Sequence, residues 1–248
     1  MMWFVLVLAA ALAGGMNALA GGGTLVTFPS LLAFGVSPVA ANATSTVALV
    51  PGGLGGFWGF RHDVAGDRSE LLWMVLPSLV GGALGALLVL WVGNRTFARV
   101  VPWLIYGATL LFLVQAPIRR WLDRRMGADA HKRRRALQVL MQFAIAIYGG
   151  FFGAAMGILM LAAMSVLLPS SGQQANALKV LLSFLTNGAA AILFAVTGHA
   201  DLWLAVLMAV GNVIGGWGGA HLAQRLPPVA MRWVAIAVGL YAAGRMIL

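Results

Sequence analysis

The chain predicts an all-α integral membrane protein of about eight transmembrane helices in two homologous halves, with broken or re-entrant half-helices near 21–34 and 155–168. Three observations carry that reading. Of the 248 residues, 61% are hydrophobic and only 9% are charged, a balance that soluble domains rarely reach. Apolar stretches near the roughly 20 residues needed to cross a hydrocarbon core recur between the charged segments. A constant offset also lays one part of the chain over another. Ala41-Asn42-Ala43 falls on Ala175-Asn176-Ala177, 176 − 42 = 134 residues on, and Gly81-Gly82-x-x-Gly85-Ala86 falls on Gly215-Gly216-x-x-Gly219-Ala220 at the same distance.

The elements follow in order. The first apolar run, 3–20, begins at Met1-Met2-Trp3-Phe4 without the positive flank of a cleaved signal peptide, so it reads as a retained span. Gly21-Gly22-Gly23 then interrupts the helix, because each glycine costs about 1 kcal/mol relative to alanine. Segment 24–34 is too short to span; at about 1.5 Å per residue it covers ~16 Å, half a hydrocarbon core. Span 40–60 opens with Asn42, Thr44, Ser45 and Thr46 and is bent by Pro51-Gly52-Gly53. Spans 71–92 and 98–116 complete the first half. The second half repeats the pattern with spans 137–156, 175–197, 201–223 and 228–247 and the short piece 158–168. The expected organisation is a first membrane repeat over 1–116, a basic linker over 117–136 and a second repeat over 137–248. Flanking charges leave open whether the repeats are parallel or inverted.

The net charge of +10 does not point to nucleic acid. Eight of the 16 basic residues crowd into the linker (Arg119, Arg120, Arg124, Arg125, Lys132, Arg133, Arg134 and Arg135), opposed only by Asp123 and Asp129. A short loop so basic is expected on the cytoplasmic side, against anionic lipid. With no cysteine in the chain, disulfides and thiolate chemistry are excluded. HExxH, GxSxG, CxxC and GxxxxGK[ST] are all missing from the sequence, which argues against the common metalloenzyme, acyl-transfer and nucleotide-motor classes. His199-Ala200-Asp201 reads as a short polar turn.

Two segments carry the candidate site. Asn176, Lys179, Ser183 and Asn187 recur at three, four and four residues and share one helical face. A charged side chain costs about 2.5–3.5 kcal/mol at the centre of a membrane helix on insertion scales, so Lys179 is expected to face the bundle interior and to act there. Helix-gluing hydrogen bonds are the plainer role for Asn187. The break at Gly21, Gly22 and Gly23 would expose N–H groups and the positive end of a short helix, suited to an anion, with Asn17 and Thr24 beside it. Asn42, Thr44 and Ser45 supply further polar groups from span 40–60. The glycine series 149–153–157, 211–215–219 and 81–85 read as close-packing faces.

Asn42-Ala43-Thr44-Ser45-Thr46 behind the triple glycine, Asn176-Ala177-Leu178-Lys179 with Asn187-x-x-Ala190, and Gly215-x3-Gly219-Ala220 resemble the sulfite exporter TauE/SafE family, over about residues 10 to 245. The resemblance implies a bacterial inner-membrane permease with duplicated halves. Its substrates would be small sulfur-containing or organic anions such as sulfite, sulfoacetate and related sulfonates. The family's motif positions fall on Gly21 to Gly23, Thr44, Ser45, Lys179 and Asn187.

The expectation is a multi-pass secondary transporter for a small anion, with no cofactor, no metal and no catalytic residue. Its partners are the anion and membrane lipid, not nucleic acid, with a homodimer as an option. Two alternatives stand beside it: an uncoupled anion channel and an intramembrane enzyme. The enzyme would need one of Ser30, Ser45, Ser165 or Ser183 to face a histidine inside the bundle.

Overall fold

Apolar runs without two-residue alternation can satisfy their backbone in lipid in one way, as helices. A computed structural model describes residues 2–19, 22–60, 68–125, 131–167 and 172–223. Among them are eight helices and no strand: α1 (Met2–Leu19), α2 (Thr24–Ala33), α3 (Pro38–Phe60), α4 (Arg68–Arg125), α5 (His131–Phe151), α6 (Met156–Leu167), α7 (Gly172–Val196) and α8 (Leu202–Ala223). Gly21, the middle of the linker and the expected span 228–247 lie outside the described residues. Leu72–Gly107 and Ala177–Val196 are long and apolar enough to cross a membrane, and Met2–Ala18, Thr24–Ala33 and Leu202–Gly218 are shorter apolar helices.

The structure keeps one division and revises one boundary. Spans 71–92 and 98–116 are two helical segments within α4, divided where Gly93 takes non-helical dihedrals, φ 71° and ψ 173°. Glycine alone enters that region cheaply. The bend delivers Asn94, whose Oδ1 accepts the Val39 N–H at 2.9 Å and satisfies a donor in the first turn of α3. The expected span 137–156 ends early, because α5 stops at Phe151. The connection to α6 then holds two left-handed residues, Gly153 (φ 74°) and Ala155 (φ 61°). Glycines 149, 153 and 157 therefore do not form one packing face; they fall in α5, the connection and α6 in turn.

The other glycine series do pack helices together. A side chain on Gly211 would strike the Val7 carbonyl, and one on Gly215 the Ala11 carbonyl, so α1 and α8 lie in close contact and run parallel. A side chain on Gly81 would come within 2.9 Å of the Phe143 carbonyl, and one on Gly85 within 2.6 Å of the Phe151 nitrogen, so α4 and α5 are also parallel. Helix α3 crosses both α7 and α8. The Asp201 N–H donates to Thr44 Oγ1 at 2.9 Å, just past the end of α7, while Gly53 faces Phe184 further back along that helix. Hence α3 and α7 are antiparallel.

The distribution of polarity is inverted relative to a soluble fold. Trp203, Val206, Val210, Ile214 and Trp217 form an exposed apolar stripe along α8, and Trp91 on α4 is 84% exposed. Asn42, Ser45, Lys179, Thr186 and Asn212 are buried instead. An apolar exterior on this scale is the surface of a protein dissolved in lipid.

Candidate functional site

Lys179, Ser183 and Asn187 follow at i, i+4 and i+8 along α7, so one face of that helix turns all three inward. They line a cavity of about 50 Å³ in the bundle. By the usual requirement of ~10–15 Å³ for each enclosed water, that is room for a few waters or one small anion. Five other helices and one connection complete the wall, α6 through Met156 and Gly157. Asn17 enters from the end of α1, Thr24 from the start of α2, Gly52 and Gly53 from α3, and Asn212 from α8, while Gly153 comes from the α5–α6 connection.

Local chemistry fixes these groups. Asn17 Oδ1 accepts the Gly23 N–H at 2.8 Å and ties the end of α1 to the start of α2. Gly23 has helical dihedrals, φ −56° and ψ −33°, so glycine is needed there for space. A Cβ would lie 2.8 Å from both the Ala13 carbonyl oxygen and Asn17 Nδ2. The α5–α6 connection is held by the Tyr148 hydroxyl, which donates to the Ala154 carbonyl at 2.6 Å. Ser183 Oγ lies 3.3 Å from Met160 Sδ, a weak acceptor.

Lys179 dominates the electrostatics. It is 1% exposed, and its Nζ has no hydrogen-bond partner among the described residues. All six acidic residues (Asp63, Asp67, Glu70, Asp123, Asp129 and Asp201) fall outside α1 to α3 and α5 to α8, and none of them lines the cavity. Removing a charged group from water costs several kcal/mol unless it is paired. Amides and hydroxyls, from Asn17, Asn187, Asn212, Thr24 and Ser183, line the cavity with it.

The structure divides the sequence-derived candidates. Asn17, Thr24, Lys179, Ser183 and Asn187 line the cavity. Gly22 and Gly23 are buried beside Asn17. The Gly23 N–H, expected to be free for a ligand, is already taken by Asn17 Oδ1. Gly21 and the Asn176 side chain lie outside what is described. Asn42, Thr44 and Ser45 do not line the cavity. Asn42 Nδ2 donates to the Phe151 carbonyl at 3.1 Å, the Ser45 hydroxyl is bonded to the Thr27 hydroxyl, and Thr44 receives the Asp201 N–H.

Sequence reasoning missed Asn212, Gly52, Gly53 and Gly153 as lining residues. For Asn212 the signal existed: an amide in the middle of an apolar span carries the same burial cost that singled out Lys179. The glycines left no such signal, since their part is to leave room. His199-Ala200-Asp201 is a polar turn in which Asp201 Oδ1 accepts the Leu204 N–H at 3.0 Å and caps α8. No cluster of three or more metal-ligating side chains occurs among the described residues.

Comparison with known proteins agrees in class. The family whose model matches residues 6–246 is described as "Sulfite exporter TauE/SafE". A "Probable membrane transporter protein" of Haemophilus influenzae is 26% identical over 235 residues, 94% of this chain and 89% of its own length. The "Probable membrane transporter protein YfcA" of Escherichia coli K12 is 28% identical over 221 residues, 88% of this chain and 79% of its own. The "Probable membrane transporter protein ORF9" of a Sinorhizobium species is 28% identical over 223 residues, 88% of this chain and 82% of its own. No solved structure matches the chain.

Proposed function

The chain belongs to the sulfite exporter TauE/SafE family, and from that premise we propose that it is a multi-pass inner-membrane secondary transporter for a small anion, such as sulfite, a sulfonate or a related organic anion. One observation carries the reading: the Lys179 ammonium, 1% exposed and unpaired among the described residues, in a cavity whose other polar groups are amides and hydroxyls. An anion there supplies the missing charge partner. Thr24, Ser183, Asn17 and Asn187 supply hydrogen bonds around it. The sequence has no phosphate-binding motif for ATP, so the driving force is an ion gradient or the substrate's own.

The same reading takes the two halves as inverted repeats, the arrangement that puts a transport site where the repeats meet near the bilayer midplane. Two observations support it. The sequence-equivalent helices α3 and α7 run antiparallel. The packing also maps onto itself when the halves are exchanged: α1 against α8 becomes α5 against the first part of α4. Helices α2 and α6 are then equivalent half-helices, ~15 and ~18 Å long at 1.5 Å per residue.

The test is anion uptake into liposomes by the purified protein. We predict that Lys179→Met retains the helical fold and loses transport by roughly ten- to a hundred-fold or more, the worth of a hydrogen bond to a charged group. Wild-type flux through the folded variant would refute the assignment.

A further inference from the structure

Asn212 is the polar residue of the cavity that the anion reading leaves unexplained. It lies on α8 against α1 and α3, is 1% exposed, and lines the cavity together with Gly52. Its Nδ2 donates to the Ala10 carbonyl at 3.4 Å. Turning the amide over would set Oδ1 against that carbonyl, acceptor to acceptor, so Ala10 fixes which end points where. Oδ1 is left toward Gly52, where it is the first atom that a side chain would meet. It has no donor among the described residues.

A buried acceptor without a donor is costly, and an anion is the wrong molecule to relieve it. The other cavity groups are mostly donors: three N–H from Lys179, the amide N–H₂ of Asn17 and the hydroxyl of Thr24. A bare oxyanion satisfies these and brings one more acceptor to Asn212 Oδ1. An anion that carries its own O–H or N–H satisfies both ends of the site.

We infer that Asn212 is a specificity determinant of this cavity and that the ligand is a small monoanion bearing a hydrogen-bond donor, a hydrogen oxyanion or a hydroxy- or amino-substituted one. This rests on the anion site proposed above and narrows it. Gly52 fits the assignment, because a side chain there would collide with Oδ1 and displace it. The mechanism of selection is rejection: a site with a fixed acceptor discriminates against the analogue that leaves it unpaired.

Hydrogencarbonate and nitrate make the test, since both are planar three-oxygen monoanions and only hydrogencarbonate carries an O–H. Binding of each is measured to the purified full chain in lipid nanodiscs. The wild type is expected to prefer hydrogencarbonate by roughly ten-fold or more, the effect of one unsatisfied buried acceptor. In Asn212→Leu, similar in size and without the acceptor, the preference should fall to within about three-fold while nitrate binding persists. Asn212→Ala serves the same purpose should leucine not be accommodated. Equal binding by the wild type, or a preference kept in either folded variant, overturns the role of Asn212. If nitrate binds in a Lys179-dependent way without discrimination, the anion site stands and this inference falls. If neither anion binds and Lys179→Met changes nothing, both fall together.

Discussion

At the scale of single residues, two sets of polar side chains in the bundle do different work. Lys179, Asn187, Asn17, Thr24 and Asn212 face a cavity, and two of them keep an unpaired polar atom: Lys179 Nζ and Asn212 Oδ1. Ser45, Thr44 and Asn42 are tied to other parts of the protein: to Thr27, to the Asp201 N–H and to the Phe151 carbonyl. Removing a member of the second set breaks a hydrogen bond between elements, at about 0.5–1.5 kcal/mol. Ser45→Ala and Asn42→Ala are therefore expected to lower the melting temperature by several degrees. They should leave anion affinity within about three-fold of wild type. A folded Ser45→Ala protein with normal melting and ten-fold weaker binding would return Ser45 to the site.

At the scale of elements, the start of α2 is the most constrained local structure around the cavity. Asn17 bonds Gly23, and Gly23 has backbone on one side and an amide on the other. A methyl group at Gly23 would sit 2.8 Å from the Ala13 carbonyl, which belongs to a helix and cannot swing aside. Gly23→Ala should therefore push α2 from α1, break the Asn17 bond and reduce both melting temperature and transport. Gly53→Ala is a matched control, because its new methyl meets Phe184 at 3.2–3.5 Å, an adjustable side chain. Equal tolerance of the two changes would mean that the α1–α2 junction is looser than its geometry implies.

At the scale of the whole molecule, the bend at Gly93, the antiparallel pair α3 and α7 and the basic linker combine into a prediction about sides. Ser37 precedes α3 and His199 follows α7, and the Thr44–Asp201 hydrogen bond puts those two ends at one face. The arginines of the linker predict a cytoplasmic side for it. Inverted repeats put the linker on the opposite side from Ser37 and His199. The chain contains no cysteine, so single substitutions report without background. Ser37→Cys and His199→Cys should react with an impermeant thiol reagent in intact cells, and Gly127→Cys should be protected. Labelling of all three from one side would rule out the inverted arrangement.

The sequence by itself determined the helical class, the approximate limits of most helices and the face of α7 that carries Lys179, Ser183 and Asn187. These follow from hydrophobic length and from a 3.6-residue period, both local properties of the chain. A charge deep in an apolar run announces itself without any knowledge of the fold. Only the tertiary structure decided which other polar groups meet that charge. Asn42 and Ser45 carry the same kind of signal as Asn187, yet their partners across the bundle hold them out of the cavity, while Asn212 enters it from α8. Such pairings depend on how closely glycines let α1 approach α8, and α4 approach α5, and on where the chain bends at Gly93. Packing distances of this kind join residues far apart in sequence, and no local pattern encodes them.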